Sequence, residues 1–350
     1  RLTYAKEGNI QMLRVWGGGI YEHDSFYDLC DELGIFIWQD FMFACGVYPQ
    51  DVDFQKEVRR EGEYIVRHLR NHPCLIAWSG DNENDMAYQW AKRPLGAWNE
   101  NVLTRKVLKE VTEILDPTRP YLPSSPYSPD PTKEPGDQTQ GDGHHYFMTL
   151  DPEHWQYYKK FFELESRFES EFGFGALPEP NSFYKFNHLR LPLKSPDLPS
   201  AFPMSHKLMS TNPEELDIAL WESQLFHAYG LRFVIEHLRR RKWYCGGTLY
   251  WKFNDPFADA HWIFPSQMSV LDLYLEPRIA YYWTRNAYKP AVLSFKQDSN
   301  QEISLWTIND YNRHLYGELI IRRMKFTGEI LSRKISTVMI PPDSSVKIKS

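Results

Sequence analysis

Short apolar runs alternate with longer amphipathic stretches along most of this 350-residue chain. This alternation is typical of βα units around a parallel sheet, whose strands are buried on both faces. Eight parallel strands are needed to close a barrel. We therefore predict an α/β fold, a (β/α)8 TIM barrel over residues 1–290 whose first strand precedes Arg1. The seven candidate strands are Met12 to Trp16, Ile35 to Gln39, Leu75 to Trp78, Tyr121 to Pro123, His144 to Tyr146, Arg167 to Phe172 and Thr248 to Phe253.

Helices are predicted between these strands from their apolar spacing and their ends. Asp24 is expected to cap the first, which Gly34 ends, and Pro73 and Pro117 follow the next two. The segment from Pro178 to Pro203 is rich in Pro, Ser and Asn and is predicted to be a long loop. The other predicted helices are about Asp53 to Asn71, Val102 to Leu115 and Pro213 to Arg241.

After Pro290 the pattern changes to short β-type runs separated by polar turns. Ile303 to Thr307, Leu315 to Arg322 and the residues from Val346 onward are examples. They predict an antiparallel arrangement. We therefore predict a second domain over residues 291–350, the beginning of an immunoglobulin-like β-sandwich.

The composition excludes several classes of partner. A formal net charge of -6 provides no basic field for nucleic acid or an anionic membrane. Aromatic residues make up 15% of the chain, and flat aromatic rings can stack on sugar faces, although most are expected in the core.

The four cysteines show no paired spacing, and no Asn-x-Ser/Thr site or membrane-length apolar run is present. These features favour reduced thiols and a cytoplasmic protein, with any targeting region outside this chain.

The segment from Leu75 to Glu83 combines an apolar strand with an abrupt polar end. Gly80 permits a sharp turn, after which Asp81, Asn82 and Glu83 would project at the carboxyl end of the strand, where barrel enzymes keep their chemistry. The alternative is an ordinary polar loop after a buried strand.

A second carboxylate cluster lies in the strand from Arg167 to Phe172. Alternation along this strand predicts Glu169 and Glu171 on one face, and a carboxylate among aromatics is costly to bury without a role. The alternative is a core glutamate paired with an arginine, Arg14 or Arg167. Retaining cleavage of a glycosidic bond needs one carboxylate to attack and one carboxylic acid to protonate the leaving oxygen. Two glutamates at strand ends supply both groups, but their spacing does not assign the roles.

Several segments closely resemble the β-mannosidases of glycoside hydrolase family 2. The resemblance extends to about Pro290, with residues 180 to 240 divergent, and it implies a TIM-barrel catalytic domain. The matching segments are Met12 to Glu22, Phe26 to Ile35, Trp38 to Cys45, the Glu83 segment, Gly141 to Tyr146, Ser170 to Phe174 and Gly247 to Asp255.

The resemblance implies roles for individual residues. Glu83, in an Asn-Glu pair, would be the acid/base, and Glu171, in a Ser-Glu-aromatic-Gly strand, would be the nucleophile. Asn82 would contact the sugar near its second carbon, and Tyr146 would orient the nucleophile. The sugar pocket would be shaped by Arg14, Trp16 and His144, with Trp251 as part of its platform.

The implied function is that of a retaining exo-acting β-glycosidase on an oligosaccharide or glycoside substrate, with β-mannosidase favoured. A β-galactosidase, a β-glucuronidase, an exo-β-glucosaminidase, an inactive barrel fragment and a sugar-binding module stay open as alternatives. The chain departs from the family pattern at Asp81, commonly Asn, and at Lys252, commonly Gln. An acidic residue 81 could raise the proton affinity of Glu83 or bind an amino sugar.

A metal site at Asp142, His144 and His145 is conceivable from residue type. However, adjacent histidines on a strand point to opposite faces, and the two-carboxylate mechanism needs no metal. We therefore expect no metal and no cofactor.

Overall fold

Parallel strands alternate with helices through most of the chain. The structure is a computed structural model that describes residues 1–146, 161–187, 213–256, 268–297 and 302–348. One parallel sheet has the order β1-β2-β3-β4, and β5 pairs with β6 in parallel. These strands are β1 Met12–Val15, β2 Phe36–Asp40, β3 Leu75–Ser79, β4 Tyr121–Leu122, β5 Gly143–His144 and β6 Glu169–Glu171.

The seventh predicted strand runs beside β6 as a series of backbone contacts. Glu169 donates its N–H to Gly247 and accepts from Leu249, and Thr248 forms a parallel bridge with Glu169. Six of the seven predicted segments therefore contain strands, and the seventh contains a bridge. The predicted parallel α/β order is confirmed, whereas closure into a barrel stays a prediction.

The structure contains the four predicted helices, with corrections at the starts of three of them, and the described residues form four further α-helices that were not predicted. Asp24 is the first residue of its helix rather than its cap, whereas Gly34 ends that helix with φ +66, as predicted. Asp51 caps the next helix by accepting two backbone N–H groups. The third helix begins with a π-helical segment, Leu103–Leu108, before its α-helical part. The α-helices are α1 Leu2–Glu7, α2 Asp24–Leu33, α3 Val52–Leu69, α4 Asn84–Trp90, α5 Lys109–Leu115, α6 Pro180–Asn187, α7 Pro213–Arg240 and α8 Ile279–Ala287.

The loop predicted from Pro178 to Pro203 is wrong in its first part. Helix α6 begins at Pro180, which suits the first turn of a helix because proline has no N–H to satisfy there. Residues 188–203 lie outside the described residues. Among the helices that are described, none combines the length and the apolarity needed to cross a bilayer.

Two apolar clusters hold the sheets against the helices. One lies around β1 to β3, where Phe41 stacks on the fully buried Trp78 with ring centroids 5.3 Å apart. The other packs Phe172 and Phe174, beside β6, against α7 and α8. Truncating such a buried aromatic costs about 3–5 kcal/mol. The cores therefore fix the strand ends from which the polar residues project.

From Ala291 onward the strands are antiparallel, as predicted. Two of them, β7 and β10, were missed by the sequence analysis, and β10 carries alternating polar residues and is largely exposed. Ser294 on β7 donates to Glu236 on α7 at 2.6 Å, which ties this part to the helices. The strands are β7 Ala291–Gln297, β8 Ile303–Asn309, β9 Leu315–Met324, β10 Ile330–Ile340 and β11 Ser344–Ile348, in the orders β11-β8-β7 and β10-β9.

Candidate active site

Glu83 lies between the end of β3 and the start of α4. Its backbone is left-handed, with φ +58, and its N–H donates to the carbonyl of Ser125. The carboxyl group is contacted on both oxygens: Oε1 is 2.9 Å from Nδ1 of His144, and Oε2 is 3.4 Å from Sγ of Cys45. A left-handed glutamate costs conformational energy, and such positions cluster at functional sites.

Glu171 ends β6 and is almost fully buried. Its Oε1 accepts from Nη1 of Arg14 at 2.7 Å, and its Oε2 accepts from the hydroxyl of Tyr146 at 2.8 Å. The arginine pair of the alternative interpretation is thus present, but Glu171 also borders a cavity. The structure separates Glu169 from it: Glu169 contacts His145 and Ser166 instead, and the register shifts between β5 and β6. The prediction that both glutamates share one face is therefore wrong.

The two glutamates approach each other across His144. One carboxylate oxygen of Glu83, one ring nitrogen of His144 and one carboxylate oxygen of Glu171 all lie within 4.8 Å of one another. This separation leaves little room for a water between the carboxyl groups. Retaining glycosidases hold their carboxyl groups about 5–5.5 Å apart, whereas inverting enzymes need about 6.5–9.5 Å.

Arg14, on β1, contacts four residues of the site: Glu171, Asp40, Asn82 and His144. Besides Glu171, it donates to both oxygens of Asp40, at 3.1 and 2.7 Å, and to Oδ1 of Asn82 at 3.1 Å. Burial opposes the charge of Arg14, but Asp40 and Glu171 raise its pKa. Asp40 also accepts from Trp38 and from the backbone of Gly17. Sequence reasoning assigned Asp40 no role, although a carboxylate ending a buried strand was a signal.

His144 is buried beneath the carboxyl groups rather than lining the cavity. Its Nε2 lies 3.3 Å from Nη1 of Arg14 and 3.0 Å from Oγ of Ser125, while Nδ1 faces Glu83. Nε2 thus contacts both a guanidinium donor and a hydroxyl group, while Nδ1 lies against the carboxyl group of Glu83. Burial lowers the pKa of His144 to about 4, so the ring is neutral at pH 7.

A network that the sequence did not predict supports this ring. Oδ2 of Asp142 accepts from the hydroxyls of Ser125 and Ser170, each at 2.6 Å. Its other oxygen accepts from the backbone of Tyr127. The neighbouring His145 faces Glu169, so the two adjacent histidines point apart, as the strand geometry predicts.

Burial sets the protonation tendencies of the carboxyl groups. It raises the pKa of Glu83, an effect that Cys45 and Arg14 oppose. Burial also raises the pKa of Glu171, and the negative charge of Glu83 acts in the same direction, whereas the charge of Arg14 lowers it. Because each carboxylate raises the proton affinity of the other, one proton is shared between them more readily than none.

Trp16 and Trp251 form an aromatic corner beside Glu171. Their rings meet edge to face, with centroids 5.0 Å apart and an interplanar angle of 66°. Both border a cavity of about 1160 Å³ that also reaches Arg14. Such a concave, aromatic-lined space with a few polar groups is typical of a ligand site.

Asp81 does not contact this cavity. It is 0% exposed, and its Oδ1 accepts from the hydroxyl of Ser124 and the backbone of Asn84. Its Oδ2 has no partner. The hypothesis that residue 81 binds an amino sugar is therefore wrong, because this carboxyl group cannot reach a substrate. The neighbouring Asn82 does face the site, between Arg14 and Cys45.

Two groups among the described residues have the spacing of metal ligands. One is the site itself, Glu83, His144 and Glu171, where the cationic Arg14 already contacts Glu171 and His144. The other consists of Asp31, His72 and Cys74. There Asp31 bonds the ring of His72 and the backbone of Cys74, so these groups satisfy one another.

Comparisons with known proteins agree on one group of enzymes. No protein-family model matches the chain. The chain is 33% identical over 323 residues to β-mannosidase B of Thermothelomyces thermophilus, covering 81% of this chain and 36% of that protein. It is 32% identical over 321 residues to the β-mannosidase of Bos taurus, with 81% and 35% covered.

Solved structures give the same result. The β-D-mannosidase of Dictyoglomus thermophilum superposes with a TM-score of 0.84 at 32% identity, covering 99% of this chain and 43% of that one. The exo-chitosanase of Amycolatopsis orientalis has a TM-score of 0.68 at 17% identity, which supports the shared fold alone. The chain thus spans less than half the length of these relatives.

Proposed function

We propose that this chain, which is β-mannosidase-like in sequence and in structure, contains the catalytic centre of a retaining exo-acting β-glycosidase of glycoside hydrolase family 2. The observation that supports this most directly is the pair of glutamates within 4.8 Å of each other, with His144 between them. The favoured reaction is hydrolysis of terminal β-D-mannosides through a covalent glycosyl-enzyme intermediate.

In the first step, Glu171 attacks the anomeric carbon while Glu83 gives its proton to the leaving oxygen. The donors from Arg14 and Tyr146 hold both oxygens of Glu171 in place and favour its ionised form. In the second step, Glu83 takes a proton from water, which attacks the anomeric carbon and releases Glu171. The burial that raises the pKa of Glu83 suits a group that must begin the cycle protonated.

The remaining predicted residues bind or orient. We assign Asn82 to the hydroxyl at the second carbon, which strengthens its hydrogen bond in the transition state. Trp16 and Trp251 supply the sugar platform, and His144 orients Glu83 through its Nδ1. We propose a glycoside or oligosaccharide as the substrate, and neither nucleic acid nor a membrane surface as a partner.

The first test, on the full-length protein, compares substrates and then removes each glutamate in turn. Nitrophenyl β-mannoside, β-galactoside, β-glucuronide and β-glucosaminide are compared, and the mannoside is expected to be cleaved fastest. A faster glucosaminide would favour the exo-β-glucosaminidase alternative, and no cleavage at all would favour a binding module. The Glu171→Ala and Glu83→Ala variants should each lose well over tenfold in turnover.

Azide then distinguishes the two roles. It should rescue Glu171→Ala by attacking directly, to give an α-glycosyl azide, and rescue Glu83→Ala by attacking the intermediate, to give a β-glycosyl azide. The opposite assignment of products would reverse the two roles. Turnover within tenfold of the parent in either variant would refute the mechanism.

We further propose that the strands belong to a (β/α)8 barrel over residues 1–290, followed by part of an immunoglobulin-like sandwich over residues 291–350. The support is a slot beside β1. Helix α1 packs on α8 through Tyr4 and Tyr281, and the cavity continues between Leu13 on β1 and Leu249. A strand preceding α1 would enter this slot by a right-handed crossover.

The slot has its own test. Adding a strand-forming segment before Arg1 should raise the Tm and make unfolding more cooperative. An extension that leaves both unchanged would contradict the barrel.

A further inference from the structure

Cys45 contacts the proposed acid/base from a strained backbone position. Its φ is +51, which is uncommon for a residue with a side chain. Its N–H donates to the carbonyl of Asn82 at 2.8 Å, and the N–H of Asn82 donates to the carbonyl of Phe43 at 2.9 Å. These two backbone bonds hold Cys45 against the Asn82-Glu83 pair, with Sγ 3.4 Å from Oε2 of Glu83.

The direction of the hydrogen bonds follows from Arg14. Nη2 of Arg14 can only donate, so the amide atom of Asn82 that it contacts is the oxygen, and the amide nitrogen faces Cys45. The sulfur therefore accepts an N–H from Asn82 at 3.4 Å. Its own S–H is left to donate to Oε2 of Glu83.

The thiol stays protonated at neutral pH. Cys45 is exposed at the surface of the site, but partial burial of its thiol, together with the negative charge of Glu83, raises the pKa of Cys45 to about 12. A protonated thiol is a weak donor and not a nucleophile. Cys45 thus complements His144, whose Nδ1 lies 2.9 Å from the other oxygen of Glu83.

We propose that Cys45 is a positioning residue for Glu83, whose S–H holds the carboxyl group in place and stabilises its ionised form. This role rests on the proposed function. When Glu83 has given its proton to the leaving oxygen, the carboxylate that forms accepts from Cys45 at one oxygen, while His144 lies against the other. It then takes up a proton from water in the second step, and the thiol neither gains nor loses one over the cycle.

The test uses the full-length protein and compares the variants Cys45→Ala and Cys45→Ser. The control is Cys74→Ala, which removes a thiol outside the site. Loss of the donor should raise the pKa of Glu83, so the basic limb of the kcat/KM profile of Cys45→Ala should move up by about 0.5 pH unit. Cys45→Ser keeps a hydrogen-bond donor, so its basic limb should lie between those of the parent and Cys45→Ala. The acid limb, which reports Glu171, should stay in place, and Cys74→Ala should show the parent profile.

Leaving-group dependence separates this role from a structural one. Cys45→Ala should lose about fivefold in kcat/KM on a phenyl glycoside, which needs protonation, but less than about twofold on a 2,4-dinitrophenyl glycoside, which does not. An unshifted basic limb in a folded Cys45→Ala, or equal losses on both substrates, would overturn the proposal.

A readout independent of turnover keeps the two proposals distinct. In protein labelled with 13C at the glutamate carboxyls, the Glu83 resonance, assigned by its loss in Glu83→Gln, should titrate at a higher pH in Cys45→Ala. If it does so in a protein that cleaves no glycoside, the proposed function fails and the contact between Cys45 and Glu83 stands. An unchanged titration overturns the role of Cys45 whatever the activity.

Discussion

Nη1 of Arg14 lies 2.7 Å from Oε1 of Glu171, while Nη2 of the same guanidinium lies 2.7 Å from Oδ2 of Asp40. One buried cation therefore serves two buried carboxylates that come from different strands. Burial raises the pKa of Asp40 to about 6, against the charge of Arg14. The network is consequently sensitive to the loss of its single positive charge.

Replacing Arg14 by Gln should destabilise the protein and reduce activity. Breaking a buried ion pair leaves uncompensated charge and typically costs about 3–5 kcal/mol. We expect a fall of this size in the free energy of unfolding, measured by urea denaturation, and a loss of at least about 100-fold in kcat/KM. Arg60→Gln, which removes an exposed pair with Glu57, is the control and should change the free energy of unfolding by less than about 1 kcal/mol. A stable, active Arg14→Gln would contradict the network.

Asp81→Asn should stabilise the protein at pH values above about 4, the unfolded pKa of an aspartate, without loss of activity. Burial and the nearby Asp85 raise the pKa of Asp81 above its unfolded value. A group of this kind contributes stability that is present below its unfolded pKa and lost as the pH rises through its folded pKa. Asparagine removes this loss, so the Tm of the variant should exceed that of the parent increasingly with pH.

The matched control for that change is Asp85→Asn. Asp85 is also buried, but both of its oxygens accept from Arg105, at 2.9 and 2.6 Å. This variant breaks a charge pair and should lower the Tm. If Asp81→Asn destabilises as much as Asp85→Asn, then Asp81 is ionised in the folded protein and the argument from its environment fails.

Strands β2 and β3 were predictable because each is largely a continuous apolar run bounded by polar residues. The same logic failed for β10, whose alternating charged and apolar residues lie on a largely exposed ribbon. It failed again at α6, where the Pro-rich and Asn-rich composition indicated a loop. There Phe183 buries its side chain beside Leu177 and Leu220, a tertiary contact that local composition does not contain.

The site was only partly predictable for a similar reason. Strand-end placement identified Glu83 and Glu171, and the family resemblance named their roles and six further residues. Neither indicated that His144 would lie beneath the carboxyl groups or that Cys45 would touch Glu83. Those relationships depend on two left-handed residues, Cys45 and Glu83, and on a register shift beside β6, which backbone geometry alone reveals.

His227→Leu should flatten the acid dependence of stability. Burial lowers the pKa of His227 to about 3, and the charge of Arg278 acts in the same direction. The unfolded chain protonates this ring near pH 6.5, whereas the folded protein does not, so stability falls as the pH drops from there. Between pH 6 and 4, the free energy of unfolding should therefore fall less steeply in the variant than in the parent, by up to about 1.4 kcal/mol per pH unit. Parallel curves for parent and variant, from urea titrations at each pH, would contradict this assignment.

Trp251→Ala should weaken substrate binding more than it slows the chemical step. The ring of Trp251 borders the cavity and meets Trp16 edge to face, so its loss removes both a sugar-stacking surface and an aromatic contact worth about 0.5–1.5 kcal/mol. We expect KM for an aryl β-mannoside to rise by about tenfold or more, with kcat reduced much less, and Trp251→Phe to retain most of the affinity. A surface substitution, Trp90→Ala, removes a half-exposed ring that is not part of the cavity lining and should leave KM unchanged. An unchanged KM in Trp251→Ala, or a loss confined to kcat, would exclude Trp251 from the sugar platform.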